Sequence, residues 1–118
     1  MRILVVEDNR HTAEALADLL GTFGHEARLV VDPAEALALF EEFRPEVALV
    51  DLAMPGMDGF ELARQIRNSG QPVTLVAVTG YRNPEAYAAA AEAGFDHYLQ
   101  KPVNVKLLRT RLQQWAAA

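Results

Sequence analysis

Short apolar runs rich in β-branched residues alternate with segments of helical period along the whole chain. The first run covers residues 2–6. Ala13, Leu16, Leu20 and Phe23 then recur at i, i+3, i+7 and i+10, and Gly24 ends that helix. A second run, residues 27–31, leads into Asp32-Pro33-Ala34-Glu35: an N-capping Asp, a Pro at the first helical position and a Glu placed to reach back. The helix it opens turns Ala36, Leu37, Phe40 and Phe43 inward and stops before Arg44-Pro45. Residues 47–52 are nearly all apolar, as in a strand buried on both faces. The loop Ala53-Met54-Pro55-Gly56-Met57-Asp58-Gly59 precedes a helix with Leu62, Ala63 and Ile66 inward. Gly70-Gln71-Pro72 separates that helix from a fourth run, residues 73–78. Asn83-Pro84-Glu85 begins an alanine-rich helix over residues 85–93, stopped by Gly94. A short fifth run, residues 97–99, leads to Lys101-Pro102. Asn104 then caps a last helix with Val105, Leu108, Leu112 and Trp115 on one side.

Five such units fit one domain over residues 1–118, joined by short loops. The alternation predicts a parallel sheet with helices on both faces and right-handed crossovers. Composition narrows the function. Hydrophobic residues are 51% and charged residues 23%, which excludes intrinsic disorder. The absence of cysteine excludes disulfides, thiolate metal sites and thiol nucleophiles. No apolar run approaches the ~20 residues of a membrane span, and no secretory leader pattern is present, so the expected location is the cytoplasm with no membrane partner. A net charge of -5 speaks against direct nucleic-acid binding by this domain. No G-x-G-x-x-G, G-x-x-x-x-G-K-[ST] or G-x-S-x-G occurs, which disfavours dinucleotide binding, P-loop hydrolysis and serine hydrolysis. His11, His25 and His97 have no metal-ligand spacing and read as surface or boundary residues.

Ligands of open α/β sheets bind beyond the carboxyl ends of the strands. Glu7 and Asp8 follow the first run, Asp51 ends the third, Thr79 follows the fourth and Lys101 the fifth. The second run ends instead in the helix cap Asp32, which places its strand at the sheet margin. Asp51 is the most informative residue. A charge inside an apolar run costs several kcal/mol unless paired, and the next helix starts too late for Asp51 to cap it. Glu7-Asp8 taken alone reads equally as a solvated turn, and Thr79 as an ordinary strand-end threonine. Converging with Asp51, the three carboxylates repel and raise one another's pKa. A hard divalent cation such as Mg²⁺ relieves this, favouring a few carboxylates together with waters and a phosphate oxygen. Lys101 adds a fixed positive charge for a phosphate oxygen. Gly80 lets a ligand approach the backbone closely.

Val5-Val6-Glu7-Asp8-Asn9, Leu49-Val50-Asp51, Met54-Pro55-Gly56-Met57-Asp58-Gly59, Val78-Thr79-Gly80 and Lys101-Pro102 stand in the order and approximate spacing of a known family. Over its whole length the chain resembles the CheY-like receiver domain of two-component response regulators. The resemblance implies a flavodoxin-like (βα)5 three-layer sandwich around a five-stranded parallel sheet of order 2-1-3-4-5. It implies that Asp51 takes a phosphoryl group from a phosphohistidine on a sensor histidine kinase or a histidine phosphotransfer protein of a phosphorelay. Glu7, Asp8, Asp51 and the backbone carbonyl of Ala53 match the Mg²⁺ contacts. Lys101 matches the lysine that pairs with the phosphoryl group, before a cis peptide to Pro102. Thr79 matches the switch hydroxyl, and Tyr98 the aromatic whose rotamer reports the state. Output would pass through the face of the fourth helix, fifth strand and fifth helix to an effector domain or target protein. The resemblance also allows a phosphorylation-dependent homodimer. Chemistry would be limited to self-phosphorylation from a donor and autodephosphorylation, so the domain is not expected to be an enzyme.

Three positions depart from the family pattern. Glu7 stands where many members have Asp. Ala53 has no side chain to position water, and Tyr81 is bulky, which together point to slow autodephosphorylation. Two other readings are weaker. A Mg²⁺-dependent phosphatase or phosphotransferase with an aspartyl nucleophile wants Asp-x-Asp after the first strand, where this chain has Glu7-Asp8, and Asp51-Leu52-Ala53 lacks a second acid. A docking module independent of phosphorylation would not need the full acid, Thr and Lys set. The last helix reaches residue 118 without a Gly or Pro stop, as in a domain cut from a longer protein.

Overall fold

Strands β1 (Arg2–Val6), β2 (Glu26–Val30), β3 (Val47–Asp51), β4 (Thr74–Thr79) and β5 (His97–Gln100) alternate with helices α1 (Arg10–Thr22), α2 (Ala36–Phe43), α3 (Gly59–Asn68), α4 (Pro84–Ala93) and α5 (Val105–Ala117). The structure is a computed structural model that describes residues 1–53, 58–80 and 83–117. Met54-Pro55-Gly56-Met57 of the loop motif and Tyr81 lie outside the described residues. All strand pairs are parallel and the order is β2-β1-β3-β4-β5, the flavodoxin-like arrangement expected.

Strand alternation sorts the core into two layers. Leu4, Val6, Ala48, Val50, Leu75 and Ala77 point to a layer built from α2, α3 and α4, with Phe40, Leu62, Ile66 and Ala90 among its members. Ile3, Val5, Val47, Leu49, Val76 and Val78 point the other way, to Leu20 of α1 and to Leu108, Leu112 and Trp115 of α5. β3 is buried at every residue, which its apolar run predicts. β2 is an edge strand, and its Glu26 and Arg28 are exposed.

Side-chain caps set the helix starts. Asn9 accepts from the Thr12 N–H at 3.0 Å, Asp58 from Phe60 at 2.9 Å, Asn83 from Ala86 at 2.8 Å and Asn104 from Leu107 at 2.9 Å. Three expectations need correction. Asp32 caps a single 3-10 turn, Pro33–Glu35, before α2 begins at Ala36, and Glu35 makes no side-chain capping hydrogen bond. Leu16, Phe23 and Leu37 are half-buried rather than fully inward. Val105 is 47% exposed, because Val103, two residues earlier, occupies the edge of the α1–α5 core in its place.

Candidate functional site

β1 and β3 are neighbours at the centre of the sheet, and Val6 pairs with Val50. The next residue on each strand, Glu7 and Asp51, therefore emerges side by side at the carboxyl edge. By alternation both fall on the α1–α5 side, with Val5 and Leu49 beneath them. Lys101 follows Leu99 by two residues and faces the same way. Its ammonium lies 2.9 Å from Asp51 Oδ2 and 3.5 Å from Glu7 Oε2. Asp51 and Glu7 are buried, whereas Asp8 is exposed. One carboxylate oxygen from each of Glu7, Asp8 and Asp51 lies within 4.8 Å of the others. Asp51 Oδ1 accepts the Ala53 N–H at 2.9 Å, and the cap of α3 is Asp58. Ala53 itself is exposed beside Asp51.

The charges in this cluster are unequal. Burial, followed by the hydrogen bond and negative charge of Asp51, raises the Glu7 carboxyl from 4.5 to about 7 against the pull of Lys101. Burial also pushes Asp51 up. Hydrogen bonds from Glu7, the Ala53 N–H and Lys101, together with the lysine's charge, outweigh it and hold Asp51 below its ordinary 3.8. Burial disfavours the Lys101 ammonium, but Asp51 and Glu7 more than offset this and raise its pKa. The cluster thus presents an anionic Asp51 between a protonatable acid and a fixed ammonium.

Thr79 is fully buried. It alternates with Leu75 and Ala77, so it lies on the α2–α4 side of β4, where the half-buried Tyr98 packs. Burial raises the Tyr98 phenol, and a hydrogen bond with Thr79 acts against that. The Lys101 N–H donates to the Thr79 carbonyl at 2.8 Å and the Leu52 N–H to the Val78 carbonyl at 3.1 Å, which ties β4 to both of its neighbours at this edge. The Lys101-Pro102 peptide is cis. Beside the acids opens a cavity of about 500 Å³ with Leu16, Leu49, Val78 and Val103 among its apolar walls.

Sequence reading missed two residues here. The Tyr87 ring stands edge-on to Tyr98, with centroids 4.2 Å apart and planes at 79°. Gln100 Nε2 donates a hydrogen bond to the Tyr87 hydroxyl. The available signal was parity: Gln100 shares the β5 face of Tyr98, and Tyr87 is the single aromatic of an alanine-rich helix. The histidines stay apart from the acids. His11 is exposed, His25 Nδ1 lies 3.0 Å from the N-terminal amine, and His97 stacks on Trp115 at 5.0 Å. No helix among the described residues is long and apolar enough to cross a membrane.

Residues 3–113 match the response regulator receiver domain family. The response regulator MprA of Mycobacterium avium (strain 104) is 35% identical over 113 residues, which are 96% of this chain and 50% of that protein. The chain therefore spans about half the length of the curated relatives it matches. Among solved structures, the signal receiver domain of a DNA-binding response regulator protein (merR) from Colwellia psychrerythraea 34H superposes with a TM-score of 0.93. It is 25% identical, and 100% of this chain and 99% of that one are covered. The chemotaxis protein CheY4 of Vibrio cholerae superposes with a TM-score of 0.90 at 29% identity, covering 96% of each chain. Sequence, sheet order and the acid–lysine edge agree: this chain belongs to the response regulator receiver domains, the signalling modules of two-component systems.

Proposed function

We propose that Asp51 accepts a phosphoryl group from a phosphohistidine on a sensor histidine kinase or histidine phosphotransfer protein. The observation that carries this reading is a buried strand-end carboxylate kept anionic by hydrogen bonds from Glu7, the Ala53 N–H and Lys101, whose ammonium lies 2.9 Å away. An Asp51 oxygen attacks phosphorus, the phosphorus–nitrogen bond breaks, and the imidazole keeps the electron pair. Lys101 pairs with a phosphoryl oxygen and offsets the charge that gathers there. The acid cluster fits a hard cation: three carboxylate oxygens converge within 4.8 Å, and burial together with the neighbouring Asp51 raises one of the acids, Glu7, to about 7. Glu7, Asp8, Asp51 and the Ala53 carbonyl would hold Mg²⁺. When bound, Mg²⁺ supplies charge neutralisation to the carboxylates and the phosphoryl oxygens.

The Thr79 hydroxyl then turns from Tyr98 to a phosphoryl oxygen, and the surface of α4, β5 and α5 shifts between two packed arrangements. An effector domain, target protein or second copy of the chain reads that surface. We read residues 1–118 as a single cytoplasmic receiver domain that makes no direct contact with nucleic acid. Its chemistry is confined to gaining and losing its own phosphoryl group.

The test is mass measurement after incubation with Mg²⁺ and acetyl phosphate. The wild type should gain about 80 Da, one phosphoryl group, and Asp51→Asn should gain nothing. No adduct on the wild type, or an adduct that survives Asp51→Asn, overturns the reading. Asp8→Ala, or excess EDTA, should slow the transfer by about a hundredfold or more. Undiminished transfer by Asp8→Ala in EDTA removes the metal assignment.

A further inference from the structure

Six of the ten residues of α4 are alanine, and only Ala90 and Ala93 of it are buried. Tyr87 is its one large side chain. Although 39% exposed, Tyr87 is held on both sides, by the Tyr98 ring and by Gln100 through its hydroxyl. Gln100 pairs in register with Thr79, and Tyr98 is hydrogen-bonded to Thr79. A continuous set of contacts thus runs from the surface of α4, through one aromatic pair, to the buried hydroxyl at the end of β4. A T-shaped pair restrains both rings more than apolar contact alone does.

We infer that Tyr87 is a positioning residue: it braces Tyr98 in the place where the Tyr98 hydroxyl meets Thr79, with Gln100 fixing the brace. The inference rests on the reading that a phosphoryl group on Asp51 draws the Thr79 hydroxyl to itself. Tyr98 and the phosphoryl group then compete for one hydroxyl. Tyr87 favours the Tyr98 side, so it sets how readily the domain enters the phosphoryl-bound arrangement. A ligand shifts such an equilibrium only by its difference in affinity for the two states, so weakening one state directly raises apparent affinity for the other.

The experiment titrates the protein, in Mg²⁺, with beryllofluoride as a stable analogue of the phosphoryl group. Tyr87→Ala should bind it about three- to tenfold more tightly than the wild type, the range given by loss of one aromatic pair. Tyr87→Phe keeps the ring edge but loses the Gln100 hydrogen bond and should fall between the wild type and Tyr87→Ala. In a Tyr98→Phe background, where Thr79 has lost the phenol, Tyr87→Ala should bring no further gain. Unchanged or weaker binding by Tyr87→Ala overturns the inference, and so does an equal gain in the Tyr98→Phe background. If beryllofluoride does not bind the wild type at all, the phosphoacceptor reading fails. The brace is then decided by three-bond couplings of the Thr79 side chain. A single Thr79 rotamer in the wild type that becomes averaged in Tyr87→Ala supports it, and identical couplings in the two proteins overturn it.

Discussion

Lys101 reaches Asp51 from 50 positions away in the chain, and its ammonium sits 2.9 Å from an acid that is only 3% exposed. The lysine stem itself is 35% exposed, so water screens part of the attraction. Its larger contribution is to keep Asp51 and Glu7 from facing each other without a cation. Lys101→Met should therefore cost about 1–2 kcal/mol in the metal-free protein, less than the loss of a partner from a fully buried pair. Lys101→Met/Asp51→Asn should recover most of that loss, because the unpaired charge is gone. Urea unfolding of the wild type and both variants checks this. A Lys101→Met variant as stable as the wild type would show that the pair contributes nothing.

α4 supplies the second expectation. With two buried alanines and one braced tyrosine it removes little apolar surface from water, so intrinsic helix propensity must carry much of it. Elements with few buried contacts open most easily. Amide exchange should be fast across residues 85–93 and slow in β1 and β3, whose residues from Ile3 to Val6 and throughout β3 are buried. Equal protection of all five helices would contradict it.

The alternation of strands and helices and most of the candidate site were legible in the residues because each left a local trace, whereas the full sheet order was implied only by the family resemblance. An Asp ending an apolar run, Asp58 before Gly59, and Asn83 before Pro84 each admit few structural explanations. Asp32 misled because Asp-Pro starts a 3-10 turn as readily as an α-helix, and only tertiary packing of Ala36 and Phe40 decides where the α-helix begins. Val105 misled because spacing says which face a residue shares and not whether anything packs over that turn. Tyr87 and Gln100 left only a weak trace, the parity of Gln100 with Tyr98 and a lone aromatic among alanines, since their meeting depends on how α4 lies against β5.

The opposite end of α4 is fixed by a bracket from α3. Arg67 donates to the Gly94 carbonyl at 2.9 Å and to the Val73 carbonyl at 2.9 Å, and it pairs with Asp96, whose carboxylate also accepts the Leu75 N–H at 2.8 Å. Arg67→Met leaves two carbonyls and a carboxylate without that donor and should cost about 2 kcal/mol. Gly94 has φ +110°, and a Cβ there would lie 2.7 Å from Arg67 Cγ. Gly94→Ala should cost about 1–2 kcal/mol through the backbone and that contact together. Thermal unfolding measures both, and a neutral Gly94→Ala would mean that Arg67 moves aside freely.

His25 gives the fold a small pH dependence. Burial, followed by the positive N-terminal amine 3.0 Å away, lowers its pKa below 6.5, against the pull of Glu46. As pH falls through 6.5 the unfolded chain takes up a proton that the folded chain refuses. The unfolded state then binds more protons, and stability declines until the folded-state pKa is passed. The side chain is only half-buried, so the loss should stay under about 1 kcal/mol. In the metal-free protein His25→Gln should keep its stability better than the wild type as pH falls below 6.5. A variant whose slope there equals the wild type's would assign the effect to other groups.

Ala53 bears on the lifetime of the phosphorylated state. Its N–H is engaged by Asp51 Oδ1 at 2.9 Å, and its methyl group offers a water neither donor nor acceptor. Hydrolysis of an acyl phosphate needs a water in line with the phosphorus–oxygen bond, and a polar side chain that orients this water speeds the step. Tyr81, two residues past Thr79 in the sequence, is the other position the family pattern sets beside the acceptor, and it carries no carboxylate to act on such a water. The Ala53→Asn/Tyr81→Glu variant should lose its phosphoryl group about tenfold faster than the wild type, equivalent to ~1.4 kcal/mol of barrier. Decay of the two phosphorylated proteins, followed side by side in Mg²⁺, gives the ratio. Ala53→Asn alone separates the contributions: a gain confined to the double variant would place the control at residue 81, and equal decay in all three proteins would show that neither side chain governs the attacking water.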